Sequence, residues 1–230
     1  MDWRARTEIV VGRAALERLA RARVMVWGVG GVGSPAAEML CRLGVGRMTL
    51  IDGDVVAESN LNRQLQALRS TIGQSKAELL AERFREINPE GDFVAVHRFV
   101  EPEGVGELLA EECPDCVVDA IDSLPTKCRL IEECVARGLP LISSMGAGFR
   151  TDPGRVKVAT LNRTEVCPLA KKLRRMLRER GIDGSAVRVV YSDEMPQRPA
   201  GQTEIGSVGF VTGTFGMYAA REVYRQLVEK

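Results

Sequence analysis

Residues 23–44 read Arg23-Val-Met-Val-Trp27-Gly28-Val-Gly-Gly-Val-Gly33-Ser34-Pro-Ala-Ala-Glu-Met-Leu-Cys-Arg-Leu43-Gly44, and this stretch decides the fold. A short apolar run enters a glycine-rich turn, after which Ser34 to Leu43 carries Ala, Glu, Met and Leu with Gly44 behind it. That order predicts strand, turn, helix and C-terminal cap. A second strand, Met48-Thr-Leu-Ile51, ends in Asp52, so two strands flank one helix within the span of a βαβ unit and pair in parallel. Further out, apolar residues at Ala77, Leu79, Leu80, Phe84 and Ile87 have helical spacing and stop at Asn88-Pro89. Phe93–Val96 is the third expected strand and Cys116–Ile121 the fourth. Ser123 and Pro125 then cap and start a helix running to Arg137, and Leu141–Ser144 is the fifth strand. This alternation predicts an α/β fold with a doubly wound, mainly parallel sheet of Rossmann-like type over roughly the first 145 residues.

The remainder loses the βαβ rhythm. Arg155–Thr160 and Val187–Tyr191 are strand-like, Pro168–Arg180 is helical, and the Pro/Gly/Gln-rich stretch Pro196–Gly206 is expected to be mobile. Val208–Val228 is helical by length, although Gly213 and Gly216 weaken that expectation in its first half. These elements are expected to extend the same sheet, so that residues 1–230 form one unit with a nucleotide-binding half (1–145) and a substrate-side half (146–230).

A chain of 230 residues with 45% hydrophobic and 27% charged residues, and 32 Lys+Arg against 31 Asp+Glu, excludes a mainly disordered, fibrous or membrane-embedded protein. It also excludes a globally basic nucleic-acid binder. Met1 to Arg6 opens charged without an apolar core segment, which predicts no signal peptide and a cytoplasmic protein. The longest uncharged stretch, Ile205–Ala220, has 16 residues with four Gly and two Thr, short of the ~20 apolar residues of a transmembrane helix. Six cysteines (41, 113, 116, 128, 134 and 167) lie in predicted helices and strands and are expected to be reduced thiols.

Gly28-x-Gly30-x-x-Gly33, with Gly31 inside it, lets the backbone approach a pyrophosphate while the following helix N-terminus supplies N–H donors. Asp52, 19 residues after Gly33, stands where an acid can bind ribose hydroxyls. The alternative for Asp52 is an ordinary strand-end acid. A nicotinamide-dependent dehydrogenase is the first reading of these features, and the next loop argues against it. Asp52-Gly-Asp54-Val-Val-Ala-Glu-Ser-Asn60-Leu-Asn62-Arg63-Gln64, with Lys76 at the next helix N-terminus, gathers charges and amides that a nicotinamide site does not need. Arg and Lys converging on a helix N-terminus suit a triphosphate, whose chemistry is mostly positioning and charge neutralisation.

These motifs, together with Gly73-x-x-Lys76, Ile87-Asn88-Pro89 and Asp119-Ala-Ile-Asp122, resemble the ATP-dependent activating enzymes that include the ubiquitin-activating enzymes and bacterial MoeB, ThiF and HesA. Members adenylate a carboxylate. The resemblance implies that Asp52 holds the ribose, that Asp54, Asn60, Arg63, Gln64 and Lys76 belong to the ATP site with the last four on the phosphates, and that Asp122 is the Mg²⁺ ligand. An N-cap for the helix after it is the plain alternative for Asp122, and the two roles could coexist. Within this group the chain is most similar to the tRNA threonylcarbamoyladenosine dehydratases (TcdA/CsdL/YgdL type). The residues that carry this are Arg6–Gly12, Asn62–Leu68, Ser143–Gly148 with Asp152-Pro153, Val166–Lys171 and Val190–Glu194. The resemblance implies ATP-dependent cyclisation of the threonylcarbamoyl group on tRNA, a homodimer, and Arg6 acting with Arg63 and Asp122 in catalysis from the neighbouring subunit, with Arg4 competing for that place. It leaves open a monovalent cation and sulfur-relay partners. The alternative within the superfamily is an adenylyltransferase for a ubiquitin-like sulfur carrier, and outside it a nucleotide-binding scaffold without turnover.

One charge feature points to an anionic macromolecule. Residues 150–180 hold ten Lys/Arg against three Asp/Glu, and on the expected helix an apolar stripe of Leu169, Leu173, Met176 and Leu177 leaves Lys171, Lys172, Arg174, Arg175 and Arg178 on the outer arcs. A solvated helix face is the alternative. Cys113-Pro-Asp-Cys116 lacks a second cysteine pair and the sole histidine, His97, falls in an expected strand, so zinc is not expected. Cys167, at the start of the basic helix, could be a nucleophile, but cyclisation on an acyl-adenylate needs no enzyme thiol and packing is the preferred reading.

Overall fold

The computed structural model of the protein describes residues 2–229, and β1 (Arg23–Trp27) is an interior strand of its sheet. Strand side chains alternate between faces, and here the alternation sorts the core into two layers. Val24 and Val26 join one cluster with Leu40, Leu80, Phe84 and Phe215, while Met25 and Trp27 join the other with Leu109, Ile131 and Leu173. A strand buried on both faces needs an unbroken apolar run, which is why Val24–Trp27 contains no polar residue.

The other strands are β2 (Arg47–Ile51), β3 (Asp92–Val96), β4 (Cys116–Asp119), β5 (Leu141–Ser144), β6 (Val156–Thr160) and β7 (Arg188–Ser192). They form one seven-stranded sheet in the order β3-β2-β1-β4-β5-β7-β6, parallel throughout except for the antiparallel β6–β7 pair. The helices are α1 (Ala5–Val11), α2 (Arg13–Arg21), α3 (Gly33–Arg42), α4 (Lys76–Ile87), α5 (Val105–Glu112), α6 (Leu124–Ala136), α7 (Pro168–Glu179) and α8 (Gly209–Val228). Residues of α2, α3, α4 and α8 fill the first layer, and residues of α5, α6 and α7 fill the second. The C-terminal strands therefore extend the same sheet, as expected.

Four differences from the sequence reading have physical causes. β4 stops at Asp119 rather than Ile121, because the Ile121 N–H turns back to Asp119 Oδ1 at 3.3 Å. His97 lies just beyond β3 rather than inside a strand. Helices α1, α2 and α5 were not foreseen; α2 buries only Ala15, Leu16 and Leu19 and α5 only Val105, Leu108 and Leu109, stripes too short to stand out in the sequence. Segment 196–206 is tied to the molecule, with Gln197 N–H donating to Phe149 O and Phe149 N–H to Gly206 O, each at 2.9 Å. Gly216, which weakened the expectation for α8, is required there, because a Cβ on it would lie 2.6 Å from Val32 O and 2.7 Å from Pro35 Cγ of α3.

Candidate active site

The strand order reverses between β1 and β4, and in open α/β sheets ligands bind beyond the carboxyl ends of the strands at such a point. A cleft of about 610 Å³ opens there. Its floor is the glycine loop. Gly28 has φ of +81°, and a Cβ on it would meet Ala120 O at 2.8 Å, so only glycine lets the β1–α3 and β4–α6 turns pack this closely. Gly30 and Gly31 line the cleft at the N-terminus of α3, the positive end of the helix dipole, which favours an anion.

Asp52 follows β2 at the edge of this loop. Its two carboxylate oxygens accept N–H groups of Val29 at 2.8 Å and Asp54 at 2.9 Å, which fixes its orientation toward the cleft. Burial pushes its carboxyl above the ordinary range, partly offset by those two hydrogen bonds. A more basic carboxylate is a better acceptor for hydroxyl groups.

The loop after Asp52 folds back over the glycines. Asn60 accepts Ala57 N–H through Oδ1 at 3.0 Å, closing a short turn that presents Arg63 and Gln64 to the cleft. Arg63 donates to Ser59 O at 2.8 Å and Asn62 Oδ1 at 2.9 Å, and its stem lies 3.1 Å from where a Gly31 Cβ would be. Gln64 is buried with no partner on Oε1 among the described residues, a polar atom that a ligand donor could satisfy. Lys76, the first residue of α4, also lines the cleft, and its ammonium pairs with Asp54 at 2.7 Å.

On the far side of the switch point Asp122 is exposed at the cleft and has no partner among the described residues. It does not cap α6, where Ser123 is the N-cap residue. One free carboxylate facing an anionic ligand fits Mg²⁺, which binds through one or two carboxylates plus substrate phosphates. Gly28, Gly30, Gly31, Asp52, Asp54, Asn60, Arg63, Gln64, Lys76 and Asp122, all expected from the sequence, line this one cleft. Gly33 packs behind it against the Gly28 carbonyl.

The ends of the cleft carry no comparable sequence motif. Arg98, Phe99, Val100 and Glu101 form one end, after β3, and only their position behind a strand could have signalled this. The other end is the strap 144–148 after β5, with Leu169, Ile205 and Ser207. Arg150 braces that strap from behind, donating to Gly146 O at 2.6 Å and Gly148 O at 3.1 Å, while Glu194 accepts the N–H groups of Thr151 and Asp152.

Two expected groups lie outside the cleft. Arg6 sits on α1, exposed and without a partner among the described residues; Arg4 is engaged by Asp2 at 3.4 Å and lies against Gly44. On α7, Lys171, Lys172, Arg175 and Arg178 are exposed as expected, whereas Arg174 departs from the outer arc. It is half-buried and donates to the carbonyls of Leu161 at 3.1 Å and Thr164 at 3.0 Å, because the preceding turn wraps onto that side of the helix. No disulfide joins any of the six cysteines among the described residues, and only Cys113 is exposed; Cys167 is buried in the second layer, and burial pushes the Cys41 thiol up to about 12.

The ThiF family profile matches residues 4–230. The chain belongs to the ThiF family. Among ThiF family relatives, the tRNA threonylcarbamoyladenosine dehydratase of Bacillus subtilis is 46% identical over 192 residues, covering 84% of this chain and 75% of that one. The Escherichia coli enzyme of the same name is 37% identical over 256 residues, covering 99% and 95%. The crystal structure of E. coli TcdA in complex with ATP superposes with a TM-score of 0.93 at 40% identity, covering all of this chain and 96% of that one. This likeness covers the glycine loop and the strap alike.

Proposed function

We propose that this protein is an ATP-dependent dehydratase that cyclises N6-threonylcarbamoyladenosine in tRNA through an acyl-adenylate. The observation that carries this is the single cleft with an anion-binding loop on one wall and a separate strap at one end, in a chain similar over its full length to proteins of that name. The same full-length likeness supports this reading over a sulfur-carrier adenylyltransferase.

In this reading Asp52 accepts the ribose hydroxyls and the N-terminus of α3 with Arg63, Gln64, Asn60 and Lys76 holds the phosphates. The substrate carboxylate enters at the strap and attacks the α-phosphorus; the bond to the bridging oxygen breaks and pyrophosphate leaves. An atom of the same threonylcarbamoyl group then attacks the acyl carbon, AMP departs, and the ring closes with net loss of water. Mg²⁺ held by Asp122 would neutralise charge on the phosphates. The exposed basic face of α7, Lys171, Lys172, Arg175 and Arg178, receives the tRNA backbone, and a cytoplasmic location suits that substrate.

A homodimer completes the site in the same proposal. Helix α1 buries none of its residues, and its Ile9 and Val10 are 85% and 82% exposed, an apolar face that a second copy would cover. Arg6 on the same helix then reaches the partner's phosphates. The test is mass analysis of nucleosides after incubating tRNA bearing the threonylcarbamoyl group with the protein and ATP. The expected product is lighter by one water and forms with AMP and pyrophosphate. Loss of that product in Asp122→Ala with unchanged ATP binding supports the role of Asp122, and absence of the product with the wild-type protein refutes the reading.

A further inference from the structure

Directly beneath the loop that carries Asp122 lies an ion pair that no step above uses. Lys127 and Asp119 are joined at 2.8 Å with both side chains fully buried. Asp119 ends β4 and its register partner on β5 is Ser143. Lys127 is in the first turn of α6 and reaches down to both strands. Its ammonium donates to Asp119 Oδ1 at 2.8 Å, to Ser143 Oγ at 3.4 Å and to Ser144 O at 3.0 Å. An ammonium has three protons, and all three are used. Ser143 Oγ in turn donates to Asp119 Oδ2 at 2.6 Å, and Ile121 N–H to Asp119 Oδ1.

We propose that Lys127 is a positioning residue for adenylation, which clips the Asp122 loop to the strap through Asp119, Ser143 and Ser144. The β4–α6 loop and the first turn of α6, residues 119–127, are closed at both ends by this pair, with Asp122 between them, and Ser144 is where the strap begins. One ammonium therefore fixes the gap between the group facing the phosphates and the group facing the acyl substrate. Stability alone is a weak reason for such a pair, because two buried charges give up hydration that an apolar pair of similar volume never had. What an apolar pair cannot supply is three directed bonds to two strand ends. Misplacement of reacting groups by about 1 Å can lower turnover about a hundredfold.

The inference rests on the placement of Asp122 and the strap in the reading above, and its test separates the two. Lys127→Met alone would leave Asp119 buried without its counter-charge and is expected to unfold the protein. The informative protein is the double variant Asp119→Leu with Lys127→Met, compared with wild type by hydrogen–deuterium exchange with ATP bound and by turnover on threonylcarbamoylated tRNA. The expected result has amides of 120–123 and 145–148 exchanging at least tenfold faster while those of β1 and α3 are unchanged. Turnover is expected to fall at least 30-fold with ATP affinity within threefold. Wild-type exchange at both segments, a uniform increase over the whole chain, or turnover within threefold of wild type would each overturn the proposal. A wild-type protein that does not act on tRNA counts against the dehydratase reading alone, and the exchange measurement still decides the role of Lys127.

Discussion

Lys76 Nζ and Asp54 Oδ2 lie 2.7 Å apart, with the lysine side chain 5% exposed and the carboxylate side chain 54% exposed. The asymmetry means that the ammonium is held inside the cleft by a partner that water can also satisfy. Removing the lysine takes a positive charge from the phosphates, whereas removing the carboxylate charge costs an anchor but also relieves repulsion of the ligand. Lys76→Met is therefore expected to weaken ATP binding at least tenfold, about 1.4 kcal/mol or more. Asp54→Asn should change it by less than threefold. Titration calorimetry reads both, and equal losses would show that Asp54 is itself a ligand group.

Arg6 and Asp122 are each expected to be indispensable and to act in different subunits. Arg6→Ala and Asp122→Ala proteins should both be inactive alone, and mixing them under conditions of subunit exchange should restore up to roughly a quarter of the wild-type activity, since statistically half the dimers are mixed and each carries one intact site. Exchange demonstrated by mass tags without recovered activity would remove Arg6 from the site.

The basic face of α7 predicts a salt-dependent affinity for tRNA. Each lost phosphate contact lowers the slope of log affinity against log salt by about 0.7–0.9, so Lys171→Ala with Arg175→Ala should reduce its magnitude by about 1.5. Arg174→Ala should instead lower the melting temperature, because it strips donors from the carbonyls of Leu161 and Thr164. Filter binding at a series of salt concentrations with parallel thermal melts separates the two kinds of arginine.

Glu222 predicts the acid limb of the stability profile. Its side chain is fully buried on α8, and Arg225 donates to it at 2.7 Å and Arg188 at 3.1 Å. Burial pushes its carboxyl up, and the bonds from Arg225 and Arg188 more than reverse this, so it lies below the ordinary carboxylate range. A depressed carboxyl stabilises the fold above its unfolded value of about 4.3 and loses that contribution as pH falls through its folded value. Glu222→Gln is therefore expected to cost about 2 kcal/mol near neutral pH, with the difference from wild type shrinking below about pH 4. Denaturant melts across that range check it; a difference independent of pH would mean that shape and not charge is what Glu222 contributes.

The legible part of this protein was the part written in backbone geometry. Gly28, Gly30 and Gly33 between a strand and a helix, with Asp52 at the next strand end, dictate a close β1–α3 turn and leave little choice of fold. Side chains that act by reaching across the sheet were not legible. Lys127 is one polar residue in the first turn of a helix, and nothing local says that Asp119 and Ser144 await it from two strands. Phe99 is likewise an exposed aromatic in a loop until Gly53 is seen beneath it, 2.6 Å from the place of a missing Cβ. Arg174 shows the limit of helical periodicity, which marks the face that packs on the core but not a flank covered by a passing turn.

The order β2-β1-β4-β5 also makes the sheet a ruler. Asp52 leaves β2 and the strap leaves β5, three strand spacings apart, or about 14 Å at ~4.8 Å per step. That interval is set by hydrogen-bonded strands and not by the loops that carry the chemistry. Loop insertions and deletions can change what is grasped at either end of the cleft, but the separation between the two grips is a whole number of strands and cannot drift.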